Sequence, residues 1–500
     1  MPMTVKSDPA PPLPPPSPFV DNVFREPTAG REEVIVNPAT EEELGRVASA
    51  DVPDVAAAVA AARRAADSGP WPSLSPKERS AALYRLADAL AADADRILDV
   101  VVAETGCPVT AARGHQVGIP LQHMQYWAEA ARRPELIPVA PKVTGRSDHT
   151  AVLGGWTVRR EPCGVVAAIT PYNFPFLQTV MKVGPALAAG NTVVLKPSPL
   201  TPYSTLMIGE AAQRAGLPPG VINVVTGGAD VGEQLVGDPR VDVVSFTGSG
   251  GVGARIAGAA SVRFARLVLE LGGKSALIVC DDADLEIAAR AGAQAATYHA
   301  GQGCALTTRH LVHRAVRDRY VEALSARVAA VRVGDPTDPQ TGMGPLIRRA
   351  AVTRVESYVA QARERGAQLA TGGSRGDHAR GYFYRPTVLT EVSNSWQVAR
   401  EEIFGPVVVV IDVADDAQAI AVANDSPYGL AGHVVSADPA RAFGIACRLR
   451  TGSVDINGGP GYTNPDVPFG GYKRSGLGRE NGAQGTDEYT QFKTIKYHVG

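Results

Sequence analysis

Between residues 164 and 270 the chain repeats one pattern: a short run of β-branched and aliphatic residues, then a stretch with helical spacing. The runs are Val165 to Ile169, Val193 to Leu195, Val221 to Val225, Val241 to Phe246 and Leu267 to Leu269. Such alternation specifies a parallel, Rossmann-like doubly wound α/β sheet, because each parallel pair needs a long crossover and helices supply it. Ligands of these sheets bind beyond the carboxyl ends of the strands. The loops after Ile169, Leu195 and Phe246 are therefore expected to face one crevice.

A chain of 500 residues with 45% hydrophobic content exceeds a single core. After Lys274 a second α/β pattern begins, with strands near Ala276 to Val279, Val407 to Val413 and Gly432 to Val435. Residues 150 to 160, TAVLGGWTVRR, suggest a hairpin turning at Gly154 and Gly155, and Phe492 to Val499 reads as a further strand. Upstream, Val55, Val59, Ala62 and Ala66 share one helical face. A second helix opens with capping-box spacing at Ser75 and Glu78, has Pro76 in its first turn, and carries an apolar stripe of Leu83, Leu86, Leu90 and Ile97. The run DPAPPLPPPSP at residues 8 to 18 removes donors and fixes φ, so residues 1–22 are expected to form a flexible Pro-rich arm.

Lys plus Arg number 49 against 51 for Asp plus Glu, which leaves no basic surplus for nucleic acid or an anionic membrane. The five cysteines include no CxxC pair, the first thirty residues lack a leader pattern, and no apolar run reaches the roughly 20 residues that span a bilayer. A cytoplasmic protein is expected.

Four segments carry chemistry. VDVVSFTGSGGVG, Val241 to Gly253, is a buried strand followed by G-x-G-x-x-G at Gly248, Gly250 and Gly253, a pattern that brings backbone close to a pyrophosphate; among 52 glycines it reads equally as a structural turn. ITPYNFPF offers Asn173, whose amide suits an oxyanion hole, although a lone loop Asn is commonly a turn former. LELGGKS puts Glu270 at a strand end among apolar neighbours, which raises a carboxyl pKa toward that of a general base; the plainer reading is a glutamate satisfied by a partner. GQGC places Cys304 in a loop between a helix and a strand. A free thiol there is a few per cent thiolate at neutral pH and already nucleophilic, yet most lone cysteines only fill space.

Taken together and in this order, with EEIFGPV at Glu401 to Val407 and PFGGYKRSG at Pro468 to Gly476, the segments resemble the aldehyde dehydrogenase superfamily of the NAD(P)-dependent, hydrolytic type. The resemblance implies a dinucleotide-binding domain of residues 23–142 and 163–272, a catalytic domain of residues 273–470, and a small β oligomerisation element of residues 143–162 and 485–500. It implies a catalytic set of Cys304, Glu270, Asn173 and Lys182, and oxidation of an aldehyde to an acid through a thiohemiacetal and a thioester. Cofactor contacts fall on Lys196, Gly248, Ser249, Glu402 and Phe404, with Ile169, Thr170, Pro171, Tyr172, Ser198, Gly227, Gly232, Phe246, Val252 and Leu271 around them. The substrate pocket is expected at Phe174, Leu177, Gln178, Met181, Tyr298, Gly303 and residues 460 to 463, including Tyr462. No Arg stands among these, which favours a neutral, hydrophobic or aromatic aldehyde over one carrying an acid.

One departure from the family pattern bears on the cofactor. Three positions after Lys196, where NAD-preferring relatives carry a glutamate, this chain has Pro199, so NAD+ is the expected cofactor with NADP+ left open. Coenzyme A acylation, ester hydrolysis and a catalytically silent relative are the alternative readings; Glu270 argues against the first, since acylating members usually lack that carboxylate. The hairpin and terminal strand suggest a homodimer or homotetramer, and no metal is implied.

Overall fold

A computed structural model describes residues 11–28, 30–145, 151–459 and 464–499. Two large sheets, one small three-stranded sheet and the antiparallel pair Arg31–Val36 and Glu43–Ser49 organise them. The first runs, edge to edge, through Gly476–Leu477, Arg266–Leu271, Val243–Gly248, Val165–Ile169, Thr192–Lys196, Ile222–Val224, Phe19–Val20 and Val23–Phe24. Its five central strands are parallel, and both edges are closed by two-residue antiparallel strands. Val165–Ile169 and Thr192–Lys196 are buried along their whole length, as strands covered on both faces must be.

The second sheet is ordered Gln368–Thr371, Thr387–Thr390, Val407–Val413, Arg309–His313, Ala276–Val279, Ala431–Val435 and Ser453–Ile456, parallel except for the first pair. It begins directly after the strand Arg266–Leu271, with only Gly272 to Ser275 between the two sheets. The chain therefore carries its function-bearing residues across from one sheet to the other in a few steps.

The local signals at the start of the chain act as expected, with two differences. Ser75 and Glu78 exchange capping-box bonds at the head of the helix Pro76–Ala92. That helix ends at Asp93, however, and Ile97 belongs to the next helix, Ala94–Thr105; Asp93, at φ −99° and ψ 11°, breaks the register between them. The Pro-rich arm is the second difference. Residues 1–10 lie outside the described residues, but 11–22 pack: Leu13 rests on the core, Phe19 is wholly buried and pairs with Val224, and the carbonyls of Pro12 and Pro16 accept from Arg96 and from the Ala48 backbone. Prolines cannot donate, yet their carbonyls still accept, and that anchors the arm.

The small sheet joins Leu136–Gly145, Ala151–Pro162 and Thr490–Val499. Gly154 and Gly155 do not turn the chain. They lie inside the strand Ala151–Pro162, and the Cβ of any residue at 155 would stand 2.3 Å from the Tyr497 ring, so the glycine makes room for a cross-strand tyrosine. That strand pairs antiparallel with Leu136–Gly145, and the residues between Gly145 and Ala151 lie outside the described residues.

Close approach also decides a core position. Gly184 lies in the helix Pro175–Ala188, where a Cβ would sit 2.1 Å from Cδ1 of the fully buried Trp127. Alanine gains about 1 kcal/mol in helix propensity, but overpacking a rigid indole costs about 1–3 kcal/mol. Gly184→Ala is expected to lower the melting temperature; an unchanged or higher Tm by calorimetry would contradict the packing.

Candidate active site

The carboxyl ends of Val165–Ile169, Thr192–Lys196 and Val243–Gly248 open on one cavity of about 990 Å³. Ile169, Thr170, Pro171, Tyr172, Lys196, Ser198, Gly232, Phe246, Gly248, Ser249, Val252 and Leu271 line it from the first sheet, and Arg348, Arg354, Glu402 and Phe404 from the second. Ser249 caps the helix Gly250–Ser261 without a side-chain bond, which leaves first-turn N–H groups directed at the cleft. Gly253 admits the helix to the sheet, since a Cβ there would be 2.6 Å from Leu271. Gly227 is the exception among the expected residues. It turns the chain at φ +135° and packs on Ser49 and Val231, away from the cavity wall.

Charges in the cleft are held near neutrality by burial. Lys196 is pushed down to about 8 by desolvation, against the pull of Asp230 and Glu33, and its Nζ donates to the Pro197 carbonyl at 2.9 Å. Glu402 is raised to about 7 by burial, although the Gly273 N–H donates to it at 3.1 Å. Tyr172 and Phe404 meet edge to face, 5.9 Å between ring centres, and Phe404 holds a φ of +58°, uncommon for a bulky residue.

Cys304 and Glu270 line this same cavity. Cys304, with Phe174 and Gln178, also lines a second cavity of about 360 Å³, so the thiol sits where the two meet. The GQGC loop is set by a left-handed turn at His299, Ala300 and Gly301, a conformation costing on the order of 1–3 kcal/mol at a non-glycine residue. Gln302 secures it: its amide donates to the His299 carbonyl at 3.1 Å and accepts from the Ile347 N–H at 3.0 Å. The Asn173 amide donates to the Gln302 carbonyl at 2.7 Å, which brings that side chain beside the thiol's loop.

Glu270 is almost completely buried, and neither carboxylate oxygen has a hydrogen-bond partner. Burial, then the neighbouring Glu480, raise its pKa well above the usual carboxylate range, while Lys182 and Arg479 act in the opposite direction. Lys182 lines neither cavity. It is sealed behind Glu270, donating to Glu480 at 2.6 Å and to the Ser245 hydroxyl at 3.2 Å, with both ionic partners fully buried. Sequence reasoning missed Glu480 because its partner lies 298 residues away and nothing local marks the pair.

The thiol departs from expectation. Burial first, then the Glu402 and Glu270 carboxylates, push Cys304 up to about 12, far from the few per cent thiolate of a free cysteine. The second cavity holds the expected Phe174, Leu177, Gln178, Met181, Tyr298 and Gly303; Tyr462 and residues 460 to 463 lie outside the described residues. The expectation that no Arg faces this pocket is corrected: Arg290 and Asp455 line it, as does His115, in edge contact with Tyr298 at 5.2 Å. His115 projects from a π-helical stretch, Ala112–Gly118, the kind of local irregularity often found at functional sites.

A large cleft thus meets a narrower tunnel at a cysteine, with an unpartnered glutamate in the cleft wall, an arrangement that suits an oxidoreductase working through a thiol. The sequence matches the aldehyde dehydrogenase family over residues 24–495, and the chain belongs to that family. It is 40% identical over 482 residues to a geranial dehydrogenase of Castellaniella defragrans, covering 95% of this chain and 98% of that protein. It is 38% identical over 474 residues to a betaine aldehyde dehydrogenase of Bacillus subtilis, covering 94% and 95%. Among solved structures, a Staphylococcus aureus betaine aldehyde dehydrogenase in complex with NAD+ superimposes with a TM-score of 0.92 at 35% identity, covering 97% of this chain and 95% of that one. The protein is thus an aldehyde-oxidising enzyme.

A thiol raised this far ionises only above neutrality. Inactivation of the ligand-free protein by iodoacetamide is expected to keep accelerating through pH about 10, where an ordinary cysteine with a pKa of about 8.5 has levelled off; a half-maximal rate near pH about 8.5 would show the thiol to be unperturbed.

Proposed function

We propose that the protein oxidises an aldehyde to its carboxylic acid with NAD+, through a covalent bond to Cys304. The observation that carries this reading is the position of Cys304 at the junction of the two cavities, with Glu270 in the same wall. The cleft residues suit the dinucleotide. N–H groups of the helix behind Ser249 face the pyrophosphate, Lys196 and Ser198 the adenosine ribose, and Glu402 and Phe404 the nicotinamide end. NAD+, when bound, supplies the hydride acceptor.

The remaining chemistry belongs to this chain. The Cys304 thiol passes its proton to Glu270 in the same wall as its sulfur adds to the aldehyde carbonyl, and the oxyanion is held by the Asn173 amide and the Cys304 backbone N–H, donors worth about 10²- to 10³-fold each in rate. Glu270 has no bond to break before it accepts a proton from the water that attacks the thioester, and its raised pKa makes it the stronger base. Lys182 and Glu480 touch neither substrate nor cofactor in this scheme; they position Glu270 from behind. Pro199 lines the cleft beside Lys196 and Ser198 and presents no carboxylate to a 2′-phosphate, so NADP+ is accepted as the second choice. Asp230 and Glu33, both acting on Lys196, favour NAD+.

We further infer a homodimer or homotetramer built on the small sheet, where Leu136, Val139, Val143, Leu153, Phe492, Ile495 and Tyr497 are exposed together. Light scattering is expected to give a multiple of 52.2 kDa, and a stable monomer would remove this reading. Unpaired thiols at all five cysteines suit the cytoplasm.

Two substitutions test the chemistry. Cys304→Ser is expected to abolish NADH formation. Glu270→Gln is expected to release one burst of NADH and then stall with the acyl group on the thiol, visible by mass spectrometry of the intact protein. Steady, near-normal turnover in the glutamine variant would take Glu270 out of the reaction.

A further inference from the structure

The tunnel on the far side of Cys304 holds one carboxylate among its described wall residues, Asp455, at the third position of the strand Ser453–Ile456. It is half-buried, and no described donor or cation bonds it; desolvation alone acts on it. The backbone leaves room at its side. Gly459 passes so close that a Cβ there would lie 3.0 Å from Oδ1, and a side chain at that position would crowd the carboxylate.

Among the described residues, His433, His115 and Arg290 do not neutralise it. The Gly458 N–H donates to Nε2 of His433 at 3.0 Å, so that ring carries its proton on Nδ1 and is neutral, with burial holding its pKa down to about 4. Burial likewise lowers His115. Arg290 is exposed, so water screens it, whereas charges inside a desolvated wall are screened much less. The same tunnel that holds Asp455 and the thiol is lined by the rings of Phe174 and Tyr298, stacked with an interplanar angle of 16° and centres 6.1 Å apart, and by Phe469. An uncompensated carboxylate with aromatic rings before it is a surface complementary to a cation.

We propose that Asp455 is a specificity-determining residue that selects aldehydes carrying a positively charged nitrogen at the end remote from the carbonyl. This rests on the reading of Cys304 as the nucleophile, and it replaces the expectation of a neutral substrate, which was drawn from a pocket that did not include Asp455. A protonated amine donates to the carboxylate while its chain lies along the rings and its carbonyl reaches the thiol.

The test compares 3-aminopropanal with butanal, which have the same length and differ in charge, by kcat/KM with NAD+ at neutral pH. The wild-type protein is expected to favour the amine by about tenfold or more, the scale of a hydrogen bond between charged groups. In Asp455→Asn that preference is expected to fall by a similar factor, and in Asp455→Glu to be partly restored. A wild-type preference for butanal, or equal losses on both aldehydes in the asparagine variant, overturns the proposal. If that variant does not fold, the wild-type ratio alone decides. Absence of NADH from both aldehydes would instead sink the dehydrogenase reading itself, so the two failures are distinguishable.

Discussion

The site depends on how closely the main chain can cross from one sheet to the other at Gly272 and Gly273. A Cβ on Gly272 would stand 2.1 Å from the Glu402 carboxylate, and one on Gly273 would stand 2.7 Å from the Cys304 carbonyl oxygen. The same two residues are bonded in place: the Gly272 carbonyl accepts from Ser475 at 2.8 Å, and the Gly273 N–H donates to Glu402. Larger residues would push apart the strand end bearing Glu270 and the loop bearing Cys304. The distances that matter to the chemistry are therefore fixed by the absence of two methyl groups.

The electrostatic state follows from that tight fit. Burial dominates the shifts of Glu270, Glu402 and Cys304, and each is moved toward its neutral form. The one full ion pair nearby, Lys182 with Glu480, is internally balanced and adds little net charge.

Much of this was legible in the sequence because it is local. The strand runs of both large sheets, the capping box at Ser75, and the glycines that open the helix behind Ser249 are each decided by neighbours a few residues away. Three misreadings share one cause, a glycine or proline interpreted by its usual habit. Gly155 looked like a turn but serves Tyr497 across the strand, the Pro-rich arm looked loose but packs through its carbonyls, and Gly227, expected near the cofactor, packs on Ser49 and Val231 instead of lining the cavity. Glu480 and Asp455 were missed for a different reason. Their meaning arises from partners, or the lack of them, that only the folded chain defines.

The strand Phe19–Val20 has a consequence for how the chain is made. Its partner, Ile222–Val224, emerges about two hundred residues later, and the Asp21 backbone bonds Asn223 across a separation of 202 residues. At about 5–20 residues per second of synthesis, the first segment waits on the order of ten to forty seconds without its place in the sheet. A leading stretch rich in proline has few donors to offer to another strand in that interval. The composition that made the arm look flexible gives it few donors to spend before the edge it closes exists.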